Sequence, residues 1–297
     1  MLDFSKIKTI SIKQRKNKVK LSDLVKPANS RILIESKKFD DLVKKIIFAH
    51  KNKKQIILMM GAHVVKVGMS LLVIDLMKNG IIKHIAMNGA VPIHDFELAL
   101  IGETSEYVEK TIEDGTFGMI EETGSILNEA IKEGAKNSHG MGYAIGKKIN
   151  ELNLPNKECS ILYNAYKLGI PATVHVAIGT DIIHQHPSCD GAAVGKTSYH
   201  DFKIFAESVS RLEEGVVINA GSAVVLPEVF LKALTIARNL GFKVEKITAA
   251  NFDMINHYRP RENVVQRPTS LGGEGFAIIE RHEKTIPTLH RKIVDEI

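Results

Sequence analysis

Two short apolar runs, Gln55–Met60 and His84–Met87, each closing on a small-residue turn and passing into a helical stretch, constrain this chain more than any other feature. A brief run that does not alternate reads as a strand buried on both faces, and strands of that kind belong to a parallel sheet covered by helices. The first run ends in Gly61-Ala62-His63, followed by a helix over Ser70–Asn79 that Gly80 stops; the second ends in Asn88-Gly89-Ala90, followed by a helix from about His94. The rhythm resumes further on. Helix Cys159–Leu168 is stopped by Gly169, strand Ala172–Ala177 leads to Gly179-Thr180-Asp181, and helix Tyr199–Leu212 precedes strand Val216–Asn219 with Ala220-Gly221-Ser222 at its end. Helix Val229–Leu240, strands Lys246–Ala250 and Phe276–Glu280, and helix Ile286–Val294 complete the pattern. It predicts an α/β chain with a Rossmann-like, doubly wound, mostly parallel sheet and helices on both faces.

Residues 1–36 are polar and basic, with Lys13, Arg15, Lys16, Lys18 and Lys20 close together, and read as a solvated arm in which Thr9–Ile12 and Arg31–Glu35 are short extended pieces. Residues 37–297 read as one domain, interrupted at about 103–150 by a glycine-punctuated helical insertion whose helix runs from Glu121 through Ile131. Residues 256–275 have no period and read as a long loop, of the kind that carries function. A chain of 297 residues, 44% hydrophobic and 25% charged, has room for this core. The net charge of +6 is scattered lysine without interleaved aromatics, which gives no face for nucleic acid. Two cysteines, Cys159 and Cys189, are too few for a disulfide framework, and no segment resembles a signal peptide or a membrane span. A soluble cytoplasmic protein is the expectation.

In an open parallel sheet the carboxyl ends of the strands share one edge, and ligands bind there. Here that edge collects Ala62, His63, Asn88, Gly89, Ala90, Thr180, Asp181, Gly221, Ser222 and Asn251. Small turns admit a ligand to the backbone, and free N–H groups at a helix start receive an anion. No G-x-G-x-x-G is present. A second cluster, His184-Gln185-His186-Pro187-Ser188-Cys189-Asp190, places two histidines at i and i+2, on one face if the segment is extended. That suggests a metal-assisted hydrolase built on His184, His186 and Asp190, but the spacing matches no zinc motif and no metal is assigned.

The segments MMGAHVVKVGMSLLVIDLMKNGIIKHIAMNGAVPIHDFELALIG, YNAYKLGIPATVHVAIGTDIIHQH and VINAGSAVVLPEVFLKALTIA resemble the deoxyhypusine synthase family, in order across most of residues 40–295. The AMNGA…HDFE…ALIG portion is also similar to the archaeal-type ornithine cyclodeaminase and related enzymes. The resemblance implies a tetramer that binds NAD and uses it as a transient hydride store. It places the cofactor turn on Asn88, Gly89 and Ala90 with a following acidic position near Asp95, earlier strand-end contacts on Ala62 and His63, an acidic contact on Thr180 or Asp181, and a glycine turn on Ala220, Gly221 and Ser222. Two departures matter. Leu226-Pro227-Glu228 stands where the family has histidines, and Asn263–Ser270 (NVVQRPTS) has no lysine where the family forms its imine.

The expectation is therefore an NAD-dependent enzyme that oxidises a cationic amine, a polyamine or basic amino acid, to an imine, resolves it and returns the hydride. His94 or His186 would accept the proton, since free histidine titrates near neutrality, and Asp95, Asp190 and Glu228 would hold ammonium groups. The alternatives are the synthase itself using a displaced Lys284, the metal-assisted hydrolase, and a non-catalytic nucleotide-binding protein. The insertion and the HQHPSCD segment look unlike free surface and predict a homotetramer.

Overall fold

The computed structural model describes residues 2–297. The strands are β1 (Asn17–Lys20), β2 (Ile56–Met60), β3 (His84–Asn88), β4 (Glu103–Glu106), β5 (Ala172–His175), β6 (Val216–Ala220), β7 (Thr248–Asp253) and β8 (Glu274–Ile279). Six of them form one sheet in the order β5-β3-β2-β6-β7-β8, with every neighbouring pair parallel. The chain starts at β2, steps outward through β3 and β5, and then returns to the other side of β2 to step outward through β6, β7 and β8. The direction of winding thus reverses between β2 and β6, the switch point at which doubly wound sheets open a crevice.

The helices are α1 (Lys37–Lys51), α2 (His63–Lys66), α3 (Ser70–Lys78), α4 (Ala90–Ile101), α5 (Val108–Thr111), α6 (Glu121–Lys136), α7 (Met141–Glu151), α8 (Ile161–Leu168), α9 (Gly191–Ser210), α10 (Val225–Asn239), α11 (Tyr258–Pro260) and α12 (His282–Val294). Leu58 and Met60 of β2 pack into a core with Phe39, Leu42 and Ile46 of α1, Leu72 of α3 and Leu289 of α12. Ile57 and Met59 of the same strand pack with Phe205 and Val209 of α9 and Leu226 and Phe230 of α10. Alternate residues are buried on opposite sides, which is why the run is apolar without a break. Each such side chain contributes roughly 1.5–3 kcal/mol on burial. α1 starts where it does because Ser36 caps it, its hydroxyl accepting the Phe39 N–H at 3.2 Å.

Three expectations need correction, and one is refined. The amino-terminal arm keeps Lys13, Lys16, Lys18 and Lys20 exposed but is anchored to the domain: Ser11 Oγ and the Ile12 N–H both donate to the Glu122 carboxylate, at 2.6 and 2.7 Å, and Arg15 is buried. Its strand is β1, not Thr9–Ile12 or Arg31–Glu35, and it pairs antiparallel with β4 in the register Asn17–Glu106 and Val19–Thr104. α9 begins well before Tyr199, because Asp190 caps it by accepting from Ala192 and Ala193 at 2.9 and 3.2 Å. Residues 256–275 are not all loop, since α11 runs into a π-helical turn over Arg261–Gln266. Among the described residues no helix is long and apolar enough to cross a membrane.

Candidate functional site

A cavity of about 440 Å³ opens at the carboxyl edge of the sheet. Its floor is His63 and Lys66 of α2 with Ala90, Ile93, His94 and Glu97 of α4; the β1–β4 ribbon roofs it with Arg15, Lys18, Val19, Ser105 and Glu106, and Thr180, Asp181 and Ile182 close one side. The ends of β2, β3 and β5 thus deliver residues to one space, while the arm and the insertion cover it.

α4 explains which of its side chains arrive. At about 100° per residue, Ala90, Ile93, His94 and Glu97 share a face, and Asp95 lies on another. His94 Nδ1 is 2.8 Å from the Thr104 hydroxyl, which itself donates to Glu97 Oε2 at 2.6 Å. Glu97 is ion-paired with Arg15 at 2.7 Å and accepts from the Thr123 hydroxyl at 3.0 Å. Arg15 Nε donates to Asn17 at 2.8 Å, so a residue of the arm anchors the network. Arg15, Glu97 and Thr104 are all buried. Desolvation pushes the His94 imidazole down to about 4, with the nearby Glu97 charge opposing it. His94 is therefore neutral at physiological pH, and the expectation that it titrates near neutrality does not hold.

Of the carboxylates that face the cavity, Asp181 was read from the sequence and Glu106 was not, while Asp95, Asp190 and Glu228 lie elsewhere. Desolvation raises Asp181 to about 6, and its side chain is only 7% exposed. Glu106 accepts from the Gly118 N–H at 3.0 Å, and its other oxygen is buried without a partner among the described residues. Burial raises its pKa. Asp95, by contrast, is fully buried and caps α8: it accepts from the Ser160 hydroxyl at 2.5 Å and from the Ile161 and Leu162 N–H groups at 2.7 and 3.1 Å. Asp190 is committed to the start of α9. Glu228 pairs with Lys232 at 2.5 Å and Arg259 at 3.3 Å and accepts from Asn263 at 2.9 Å, away from the cavity. His186 is buried against Gly124, with Nδ1 2.7 Å from Ser188 Oγ.

The His184/His186/Asp190 cluster does not assemble. His184 stands at the end of a short 3-10 turn, where its Nδ1 accepts from the Gly179 and Asp181 N–H groups at 3.1 and 3.3 Å. The segment is not extended, so i and i+2 do not share a face. Among the described residues no three His, Cys, Asp or Glu side chains gather as a metal would require.

Of the strand-end residues, His63, Ala90, Thr180 and Asp181 line the cavity, while Gly221 and Ser222 lie beside the switch point. Two of the bare glycines serve packing within the chain. A Cβ on Gly61 would lie 2.3 Å from the Gly221 carbonyl oxygen, and one on Gly89 would lie 2.0 Å from the Asp181 carboxylate. Asn88 Oδ1, at the end of β3, and Nδ1 of His282, whose ring is 5.8 Å from that of His63, are buried polar atoms with no partner among the described residues. Glu97 was findable in the sequence from its i, i+3 relation to His94. Arg15, Thr104 and Glu106 were not, because they reach the site only through the ribbon.

No family model matches the sequence, and no curated protein matches it. Solved structures do. A LOR/SDH protein of Methanococcus maripaludis superposes with a TM-score of 0.54 at 14% identity, over 90% of this chain and 72% of that one. AgrE, solved as a ternary complex with ornithine and NAD+, gives 0.54 at 11% identity over 89% of this chain, which spans only 34% of AgrE. A protein of Entamoeba histolytica assigned as a deoxyhypusine synthase gives 0.52 at 11% identity, over 87% of each chain. At these identities the kinship is one of architecture: the chain has the doubly wound, deoxyhypusine synthase-like fold that these proteins share.

Proposed function

We propose that the chain is an NAD-dependent enzyme that oxidises a cationic amine, a polyamine or a basic amino acid, to an imine and returns the hydride once the imine is resolved. The observation that carries this reading is that Asp181, with a pKa of about 6, and the half-satisfied Glu106 line one cavity at the sheet's carboxyl edge. The bound ornithine and NAD+ of AgrE point the same way by fold analogy.

The residues present fit such a cofactor. Ala62, His63, Asn88, Ala90, Thr180, Gly221 and Ser222 would hold it, and the free Asn88 Oδ1 and His282 Nδ1 are atoms a polar ligand would satisfy. When bound, NAD would supply an acceptor for the hydride of the carbon bearing the amine. Asp181 takes the ammonium proton, because a carboxylate near pH 6 is close enough to neutrality to accept and later return it. Glu106 holds the positive end of the substrate, and neutral His94 offers it a lone pair. The ribbon and Phe117 supply the wall against which the reacting carbon would sit.

The test is calorimetry with NAD and then with L-ornithine and 1,4-diaminobutane, followed by turnover. Asp181→Asn should lower the rate by the roughly 10²–10⁴-fold that general base catalysis contributes. In the wild type kcat/KM should fall as pH drops through about 6, where Asp181 becomes protonated. Absence of NAD affinity in the purified protein sinks the reading. One observation favours transfer through a lysine as a second reading: Lys66 and Lys18 line the cavity, whereas Lys284 pairs with Glu280 on the outer face of α12. Borohydride trapping during turnover separates the two, since only the second leaves a reduced adduct on a lysine.

A further inference from the structure

We propose that Thr104 is a positioning residue that fixes the tautomer of His94, and so makes this wall of the cavity an acceptor for an N–H of the ligand and not a donor. The argument is proton counting. A threonine hydroxyl has one proton, and that of Thr104 goes to Glu97 Oε2 at 2.6 Å. What Thr104 offers His94 at 2.8 Å is therefore a lone pair, and Nδ1 must be the nitrogen that carries the hydrogen. Nε2 is left with its lone pair, and no protein donor reaches it among the described residues.

The direction of the chain is set from its far end. Arg15 gives Glu97 an N–H at Oε2 from a distance of 2.7 Å, and Thr123 gives Oε1 a hydroxyl proton at 3.0 Å. Both partners are donors, so Glu97 can only accept, and the Thr104 hydroxyl cannot turn round to donate to His94. Burial of Arg15, Glu97, Thr104 and Thr123 keeps water from substituting for any link. The low pKa of His94 agrees, because an imidazole held neutral keeps one nitrogen free at physiological pH.

The consequence deepens the amine reading and rests on it: an ammonium or amine N–H is welcomed at Nε2, whereas a carbonyl or carboxylate oxygen meets a lone pair. Thr104→Val keeps the shape and removes the lone pair that Nδ1–H needs; Thr104→Ser restores it.

The experiment is a long-range ¹H–¹⁵N correlation of the histidine rings near neutral pH, with the His94 signals assigned by their loss in His94→Gln. Calorimetric titration of L-ornithine onto the NAD-loaded protein runs beside it. The wild type and Thr104→Ser should show Nδ1 protonated and Nε2 bare. Thr104→Val should shift His94 toward the Nε2–H form and weaken L-ornithine by at least about tenfold, as expected for a lost hydrogen bond to a charged group. A wild-type His94 already protonated on Nε2, or a tautomer indifferent to Thr104→Val, overturns the proposal. So does a tautomer that shifts with no change in L-ornithine affinity. If the tautomer follows Thr104 but the wild type binds neither L-ornithine nor 1,4-diaminobutane, the tautomer assignment stands and the amine reading of the cavity is what fails. Thermal unfolding of the valine variant, together with the serine variant, separates these outcomes from misfolding.

Discussion

His94 and Asp95 are neighbours in the chain with opposite destinations, and helix geometry decides between them. One faces a cavity and the other the start of α8, where it satisfies two backbone N–H groups that would otherwise be buried without partners. Asp95→Ala should therefore act on stability: leaving both groups unsatisfied costs about 2–4 kcal/mol, to be read from urea unfolding. An unchanged midpoint would contradict the capping role. Gly89 carries a related lesson. Its missing side chain leaves room for the Asp181 carboxylate, so Gly89→Val displaces Asp181 and is no clean probe of ligand approach to the backbone.

At the scale of elements, the β1–β4 ribbon ties the arm to the insertion and closes the cavity. Arg15 is its fastening, with 3% of its side chain exposed and Glu97 opposite at 1%. Removing one partner of a buried ion pair strands the other charge, at a cost of about 3–5 kcal/mol, while removing both can be close to neutral. Arg15→Met should accordingly destabilise the protein by that amount and speed hydrogen exchange at Leu21, whose N–H donates to the Gly102 carbonyl at 2.9 Å. Arg15 also lies 3.9 Å from the buried Glu106 carboxylate, so Arg15→Met with both Glu97→Gln and Glu106→Gln should recover most of the stability. If that triple variant is as unstable as the single, Arg15 acts through its packing and not through its charge. The helices and strands of the main sheet needed no such partner to be recognised, because each has its own apolar period and punctuation.

Across the whole molecule, buried acids and buried histidines oppose one another in their effect on stability. Asp95 and Asp181 are raised to about 6 and Asp201 to about 7, chiefly by desolvation. Each holds a proton in the fold that the unfolded chain has lost, so its contribution is present at low pH and fades as pH rises through those values. Desolvation lowers His84 and His175 to about 3 and His94 to about 4. Each lacks a proton that the unfolded chain binds, so its contribution is present above about 6.5 and is lost as pH falls. Between about pH 4 and 6 the two sets act in opposite directions. Asp201→Asn should make the slope of stability against pH more positive than in the wild type by about 1.4 kcal/mol per unit across that window, measured by denaturant unfolding of both proteins. An unchanged slope in the variant would show that Asp201 does not hold its proton in the fold. A homotetramer also remains our proposal. The HQHPSCD segment is covered by α6 of the same chain, so it no longer argues for a partner. Val224, Met254, Ile255 and Tyr258, exposed in the segments that follow β6 and β7, do. Light scattering should report a particle larger than 32.8 kDa, and Ile255→Asp should reduce it.

The sequence by itself determined the class of fold, the strands of the parallel sheet and the edge on which the site forms. Those features are written locally, in apolar runs buried on both faces and in the small turns that end them, so residues such as Ile57 and Leu58 announce their surroundings without reference to anything distant. It also carried His63, Ala90, Thr180 and Asp181 to the cavity, since a strand's carboxyl end is fixed once the strand is. That Glu106 faces the ligand while Asp95, Asp190 and Glu228 do not was decided only by the tertiary structure. Asp95, Asp190 and Glu228 are carboxylates in the sequence no less than Asp181 and Glu106, but the first two cap helices and the third is paired, and a cap or a pair depends on what packs opposite. The protonation of His94 was beyond the sequence for the same reason: it is set by burial and by Thr104, Glu97 and Arg15, which reach it from a helix, an insertion and an arm that only the folded chain brings together.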